Sequence, residues 1–237
     1  MTDDVLSIAY KFSLHSGVHR LFTVRLSQPA LQLIAPLGAK LPDWTRLEHH
    51  QCPNCPLDRQ THPHCPIAAN LVDVIDSFKD SISIEEVEIT VTHESRVYQK
   101  QTTVQHGISS LMGIYMVTSG CPVMDKLRPM VYTHLPFATI TETLIRSVSM
   151  YLLAQYFRQQ RGKTPDWKLD RLVHIYDEIG KVNRAFVKRV LSINPQDASL
   201  NALSGLDCFA MVTAHSIVED SLEEMESLFH AYLDEND

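Results

Sequence analysis

The sequence predicts an α+β protein in which an N-terminal antiparallel sheet, built from two hairpins, precedes a helical half. Apolar and polar side chains alternate along 5–14 and again along 21–26, which is typical of two half-buried strands joined by a turn. The same alternation along 86–92 and 96–104 predicts a second hairpin. After residue 105 the apolar side chains recur at the three- and four-residue spacing of helices.

The remaining elements follow from local patterns between and after the hairpins. A short third strand is expected at 31–35, because the alternating pattern ends at Pro36. The 66–78 segment begins with proline, which suits the first position of a helix, and carries apolar residues along one side. Further helices are expected at 108–118, 123–130, 138–160, 167–191 and 198–233. The chain thus divides into a sheet part, 1–104, and a helical part, 105–237, which we expect to share a core.

The charge distribution argues against a nucleic-acid partner. The 237 residues carry a formal net charge of −7, and eight of the 28 acidic residues lie in 219–237, which contains no Lys or Arg. The rest of the chain is nearly neutral, so it offers no basic surface for phosphates. The acidic segment is also amphipathic, which predicts a C-terminal helix that packs against its own chain, a second copy in a homodimer, or another protein partner.

The N-terminus and the length of the apolar runs predict a cytoplasmic protein of bacterial type with no membrane partner. The first residues are Met-Thr-Asp-Asp, which are acidic where a signal peptide is basic, and no long apolar core follows them. The longest apolar runs are far shorter than the roughly 20 residues that a membrane helix needs.

Common nucleotide-binding and hydrolase motifs are absent from the sequence. The eight glycines form neither G-x-G-x-x-G nor a P-loop. The sequence also lacks the H-E-x-x-H of many zinc proteases and the G-x-S-x-G of α/β-hydrolases. These activities are therefore disfavoured, and the identity of any small-molecule ligand stays open.

The clearest candidate for a functional site is a cysteine-rich, proline-rich insertion at 38–66. Two of its cysteines have the C-x2-C spacing that lets two thiolates reach one metal ion from a single turn. The predicted metal ligands are Cys52, Cys55, Cys65 and Cys121, and either His62 or His64 could complete the site in place of a cysteine.

These ligands admit three kinds of protein. Four cysteines predict a closed zinc site, structural or regulatory, in an interaction or regulatory module. The same cysteines suit an iron–sulfur cluster in a redox or sensor protein, because Cys-Pro pairs occur at such ligands. A zinc with three protein ligands leaves an open position, as in a metal-dependent enzyme. Without a metal, the cysteines would be redox-reactive or merely buried thiols, and Cys208, in an apolar helical stretch, is expected in the core.

Three polar residues near the most apolar predicted helix are candidates for catalytic or ligand-lining roles. The 138–160 segment is apolar almost all round, which predicts a buried helix. Glu142 and Arg146 lie four residues apart, so they form either an ordinary salt bridge or an acid–base pair that lines a pocket. His134 precedes Pro136 at the end of an element, where a ligand can reach its ring.

Several short motifs resemble an uncharacterised bacterial family of unknown function. They are the run from Cys52 to Pro66, Ser119-Gly120-Cys121-Pro122, Arg128-Pro129-Met130, His134-Leu135-Pro136-Phe137, Glu142-Thr143, and the run from Tyr151 to Phe157. The resemblance covers most of the chain and implies neither an activity nor a cofactor.

Overall fold

The computed structural model describes residues 5–34, 41–219 and 222–234, and it has the predicted α+β architecture. The strands are β1 (Val5–Leu14), β2 (His19–Ser27), β3 (Gln32–Leu33), β4 (Glu86–His93) and β5 (Arg96–Thr103). The α-helices are α1 (Pro66–Phe78), α2 (Val104–Thr118), α3 (Ile140–Gln160), α4 (Asp170–Leu191), α5 (Asp197–Val218), α6 (Glu223–Glu226) and α7 (His230–Leu233). Three 3₁₀ helices are Asp43–Thr45, Met124–Val131 and Ser227–Phe229.

The five strands form one antiparallel sheet in the order β3-β2-β1-β4-β5. The two predicted hairpins therefore meet where β1 pairs with β4. Because successive side chains of a strand point to opposite faces, the alternation in β1 places Leu6, Ile8, Tyr10, Phe12 and Leu14 on one buried face. From this face Phe12 reaches Phe78 of α1, with 4.9 Å between the ring centroids.

Helix α2 packs so closely on the sheet that it requires a glycine. A Cβ atom built on Gly107 would overlap the side chains of Phe12 and Ile89, which are fully buried. Gly113 lies in the same helix under a looser constraint, because a Cβ there would meet only Leu206 Cδ2, at 3.7 Å. The contact between the sheet and the helical half thus depends on Gly107.

Buried apolar residues of the sheet and of the helices form one continuous cluster in the described residues. It includes Phe12 from β1, Ile89 from β4, Leu111 from α2 and Phe186 from α4. The proposed boundary at residue 104 separates two kinds of secondary structure, and its status as a domain boundary stays a prediction.

The C-terminal end of the chain is less regular than the predicted 198–233 helix. Helix α5 ends at Val218, and short helices follow from Glu223. Leu228, Phe229 and Tyr232 are exposed there, so a partner for this segment, including a homodimer contact, stays a prediction.

Helix α3 is not buried all round, contrary to its predicted apolar character. Its buried residues, which form a single stripe, are Leu144, Ser147, Tyr151 and Gln155. The polar members of the stripe have partners on other elements: Tyr151 Oη donates a 2.7 Å hydrogen bond to Asp166, and Ser147 Oγ accepts one of 2.8 Å from Tyr176. These bonds attach one side of the helix to the protein. Leu153, Tyr156 and Phe157 lie outside the buried stripe and are exposed.

A single buried arginine joins the proline-rich segment at 41–65 to helix α4. The Arg189 side chain donates hydrogen bonds of 2.7 Å to the carbonyl oxygens of Trp44 and Arg46, and one of 3.2 Å to that of Leu47. Only 2% of Arg189 is exposed. Its positive charge is therefore solvated by backbone carbonyl groups rather than by water.

We expect Gly107→Ala to lower the free energy of unfolding by about 1–3 kcal/mol, because the added methyl group overpacks a filled core. The control is Gly113→Ala, which should stabilise the same helix by up to about 1 kcal/mol, since alanine favours helix and finds room there. Urea unfolding measures both. Equal effects of the two substitutions would contradict the close approach of α2 to the sheet.

Removal of the Arg189 guanidinium should lower the free energy of unfolding by more than Gly107→Ala does. We expect Arg189→Met to lower the free energy of unfolding by roughly 3 kcal/mol or more, because three carbonyl groups lose their donors. The exposed neighbour Lys188 gives the control: Lys188→Met should change stability by less than about 0.5 kcal/mol. If Arg189→Met unfolded at the same urea concentration as the wild type, this role of Arg189 would be refuted.

Candidate functional site

The predicted metal centre is wrong. Within 5–34, 41–219 and 222–234, no group of three or more His, Cys, Asp and Glu side chains is placed to hold a metal ion. The structure therefore supports neither zinc nor an iron–sulfur cluster at Cys52, Cys55, Cys65 and Cys121, nor a site completed by His62 or His64. Without this metal site there is no support for a zinc-based regulatory module, an iron–sulfur protein or a metal-dependent enzyme.

The histidines and Cys65 of the insertion have local structural roles. His64 Nδ1 forms a 2.7 Å hydrogen bond with Thr45 Oγ1, and His62 Nδ1 lies 2.9 Å from Thr61 Oγ1. Cys65 is the residue before α1, as its Cys-Pro pair predicted, and its backbone N–H donates to the Thr45 carbonyl oxygen. These contacts build the loop and begin the helix.

The surroundings of Cys52 favour a neutral thiol. Burial above all, together with the neighbouring thiols of Cys65, Cys121 and Cys55, raises its pKa to about 12, while Arg189 opposes them. Burial also raises the pKa of Cys121. The cation near the thiols of Cys65, Cys52 and Cys55 is the chain's own Arg189. Cysteine spacing alone carries no information about this guanidinium.

All five cysteines are free. The fifth, Cys208, was predicted to lie in the core, and this prediction is wrong. Cys208 is exposed on α5, a helix whose outer side also exposes Met211 and Val218. An apolar stretch in the sequence was therefore a poor guide to burial in this helix.

A cavity with a volume of about 470 Å³ lies in the helical half. Helices α2, α3, α4 and α5 and the 3₁₀ helix Met124–Val131 form its walls. Its apolar lining includes Ile114, Val117, Leu127, Val131, Leu206 and Phe209. The few polar groups include Lys100, Ser110, His134, Arg146 and Asn183.

A short chain of hydrogen bonds lies at the boundary between this cavity and the sheet. Tyr10 Oη lies 2.7 Å from both Ser110 Oγ and His134 Nε2. Burial above all, together with the charges of Arg146 and His93, lowers the pKa of His134 to about 3. The ring is therefore neutral at physiological pH. Burial also raises the pKa of the Tyr10 phenol, which keeps its proton.

Arg146 is a half-buried cation on the cavity wall. Its Nη2 donates a 2.8 Å hydrogen bond to the carbonyl oxygen of Met130. Its Nε is inaccessible to solvent and has no hydrogen-bond partner among the described residues. Burial lowers the pKa of this guanidinium. Nη1 also makes no hydrogen bond to the described residues, so most donors of Arg146 have no acceptor there.

Glu142 is hydrogen-bonded to Thr139, with which it forms a capping box at the start of α3. Its Oε2 accepts hydrogen bonds from the Thr139 backbone N–H at 2.7 Å and from Thr139 Oγ1 at 3.0 Å. The structure therefore brings His134 and Arg146 to the cavity wall and assigns Glu142 to the helix terminus. A catalytic role for any of the three stays a prediction.

Sequence reasoning missed Ser110 and Asn183 on the cavity wall, and Tyr10, which lies outside the lining and is hydrogen-bonded to Ser110 and His134. Tyr10 and Ser110 lie in stretches whose patterns indicate an ordinary strand and an ordinary helix. Asn183 was overlooked as well, although it lies on the apolar side of α4, four residues after Ile179 and three before Phe186. An amide at that spacing marks a polar group on a buried face, and its Oδ1 indeed has no partner in the part of the chain that the structure describes.

The low pKa of His134 predicts a contribution to acid destabilisation. The unfolded chain takes up a proton below a pH of about 6.5, whereas the folded chain does so only near its lowered pKa. The stability due to neutral His134 is thus complete above about 6.5 and falls as the pH drops toward 3. We expect His134→Gln to lose about 1–2 kcal/mol less than the wild type between pH 7 and pH 5 in urea unfolding.

Comparison of the two proteins at pH 8 separates this titration from the loss of the hydrogen bond to Tyr10. At that pH only the hydrogen-bond effect remains, because histidine is neutral in both states. Parallel pH profiles for the variant and the wild type would show that His134 is accessible to protons in the folded state.

No helix in the described ranges is long and apolar enough to cross a membrane. Comparison with known proteins found no matching curated protein and no matching solved structure. Residues 8–230, which contain nearly all of the sheet and the helices that form the cavity, match one family. The chain therefore belongs to the family described as Domain of unknown function (DUF6901).

Proposed function

We propose that this protein binds a small, largely apolar molecule in the cavity between α2, α3, α4 and α5. The observation that carries the proposal is the cavity itself, with a volume of about 470 Å³ and an apolar lining that includes a few polar groups. Ligand sites have volumes of roughly 300–1,000 Å³ and this same composition. Protein interiors otherwise contain few voids larger than a water molecule.

The rim of the cavity is polar and exposed, which gives a ligand a route inward. Lys100, His106 and Thr139 are exposed residues that also line the cavity. Farther in, Met116, Val131 and Ala210 are buried. This gradient favours an apolar body inside and a polar group nearer the rim.

The polar groups favour binding over bond-breaking chemistry. Ser110 is hydrogen-bonded through Tyr10 to His134, and burial keeps that histidine neutral. Tyr176, also on the wall, donates its hydroxyl proton to Ser147. Groups fixed in this way shape and orient a site. A cytoplasmic location is part of the same proposal, and cell fractionation would test it.

A neutral apolar fluorescent probe, N-phenylnaphthylamine, tests the proposal. We expect saturable binding to the wild type, and at least about tenfold weaker binding to Gly113→Phe, whose ring would occupy the cavity. Fluorescence titration gives both dissociation constants. Gly113→Ala is the matched control, because its methyl group has room beside Leu206 and should leave probe binding nearly unchanged.

Substitution of the opposite wall provides an independent check. Ala210→Met places a larger side chain into the cavity from α5, so it should also weaken probe binding. Thermal unfolding confirms that each variant is folded before titration. If both enlarged variants were folded and bound the probe as the wild type does, the cavity would not be the binding site.

A further inference from the structure

We infer that the ligand of this cavity carries a single carboxylate, which binds the guanidinium of Arg146. This inference rests on the proposed binding function and adds the class of ligand: an apolar carboxylic acid. Arg146 is a half-buried cation of α3 on the wall of the cavity, and its Nη1 makes no hydrogen bond to the described residues.

The hydrogen bonds of Arg146 leave room for an acceptor. A guanidinium has five N–H donors. Among the described residues Nη2 donates to the Met130 carbonyl oxygen, and Nη1 makes no hydrogen bond to a protein acceptor. A carboxylate accepts two parallel hydrogen bonds from such a planar group, so it supplies what the protein leaves unfilled.

The charge of the cavity wall also favours an anionic ligand. The charged residues on its described wall are Lys100 and Arg146, and both are basic. Glu142 is near enough to influence Arg146, but its carboxylate is bound to Thr139. Arg146 is half-buried and forms no salt bridge among the described residues, so an anionic ligand would offset the partial loss of its solvation.

A monoanion fits better than a dianion such as a phosphate monoester. One cation, Arg146, is half-buried in the wall, and the other, Lys100, is exposed at the rim with its Nζ 5.7 Å from the centre of the Phe137 ring. A second negative charge in the apolar interior would have no partner of its own.

The apolar lining fits either an alkyl chain or an aromatic ring, and the shared chemistry is the carboxylate on an apolar body. The test therefore uses two matched pairs: decanoate with decanol, and naphthoate with naphthylmethanol. Each compound displaces N-phenylnaphthylamine from the protein. For the pair whose shape fits, we expect the acid to bind the wild type at least about tenfold more tightly than the alcohol.

Substitution of Arg146 then identifies the group that recognises the acid. We expect Arg146→Met to weaken binding of the acid about tenfold to a hundredfold, because the charged hydrogen bonds are lost, and to leave the alcohol within about threefold. Arg161→Met, at the exposed end of the same helix, is the matched control and should change neither compound. Arg146→Lys keeps the charge without the planar donor pair, so it should weaken acid binding less than Arg146→Met does.

The outcomes separate this inference from the proposed function. If the wild type bound the neutral probe but bound alcohols as tightly as acids, the carboxylate would be refuted and the binding function would stand. An acid that bound Arg146→Met as tightly as the wild type would also refute it. If neither the probe nor any of the four compounds bound the wild type, the proposed function itself would fail. Should Arg146→Met not fold, a selective loss of acid binding in Arg146→Lys decides the question.

Discussion

The N-terminal part of the structure depends on the hydrogen bonds that the Arg189 guanidinium donates. The 41–65 segment has no long helix or strand, so its backbone carbonyl groups need donors from elsewhere. Arg189 binds three of them, and the segment is joined to α4 a second time by Asn54, whose amide donates to the Glu178 carbonyl oxygen at 2.9 Å. The fixed segment in turn sets the position of Cys65, where α1 begins against the sheet.

The elements that the sequence predicted best are those whose apolar residues follow one period without interruption. Helix α1 has the predicted bounds because its apolar face is regular and Pro66 marks its start. Strand β1 likewise has strict alternation over its whole length. The prediction failed for α3, where the number of apolar residues suggested burial. That helix instead packs through polar residues: Tyr151 and Gln155 bond to Asp166 in the loop after the helix, and Ser147 bonds to Tyr176 of α4. These partners lie outside the helix, so its own pattern carries no information about them.

The same limit explains the outcome at the two candidate sites. Cysteine spacing describes where thiols lie along the chain, but the charge beside them comes from α4, more than a hundred residues later. His134 and Arg146 were recognised because a charged or titratable group near an apolar helix is unusual. Glu142 was grouped with them by spacing alone, although its local role in capping α3 takes precedence. The cavity could not be predicted, because it is a gap between five elements whose packing no local pattern describes.

Buried Arg189 and half-buried Arg146 differ in how completely the protein satisfies their hydrogen-bond donors. Arg189 donates to three carbonyl oxygens, and it does not line the cavity. Arg146 binds one carbonyl oxygen and faces a cavity. The desolvation cost of a guanidinium is similar in kind at both places, so the difference lies in what offsets it. Where the chain itself provides the acceptors, the arginine stabilises the fold. Where it leaves donors unused beside a cavity, an acceptor from outside the chain completes the site.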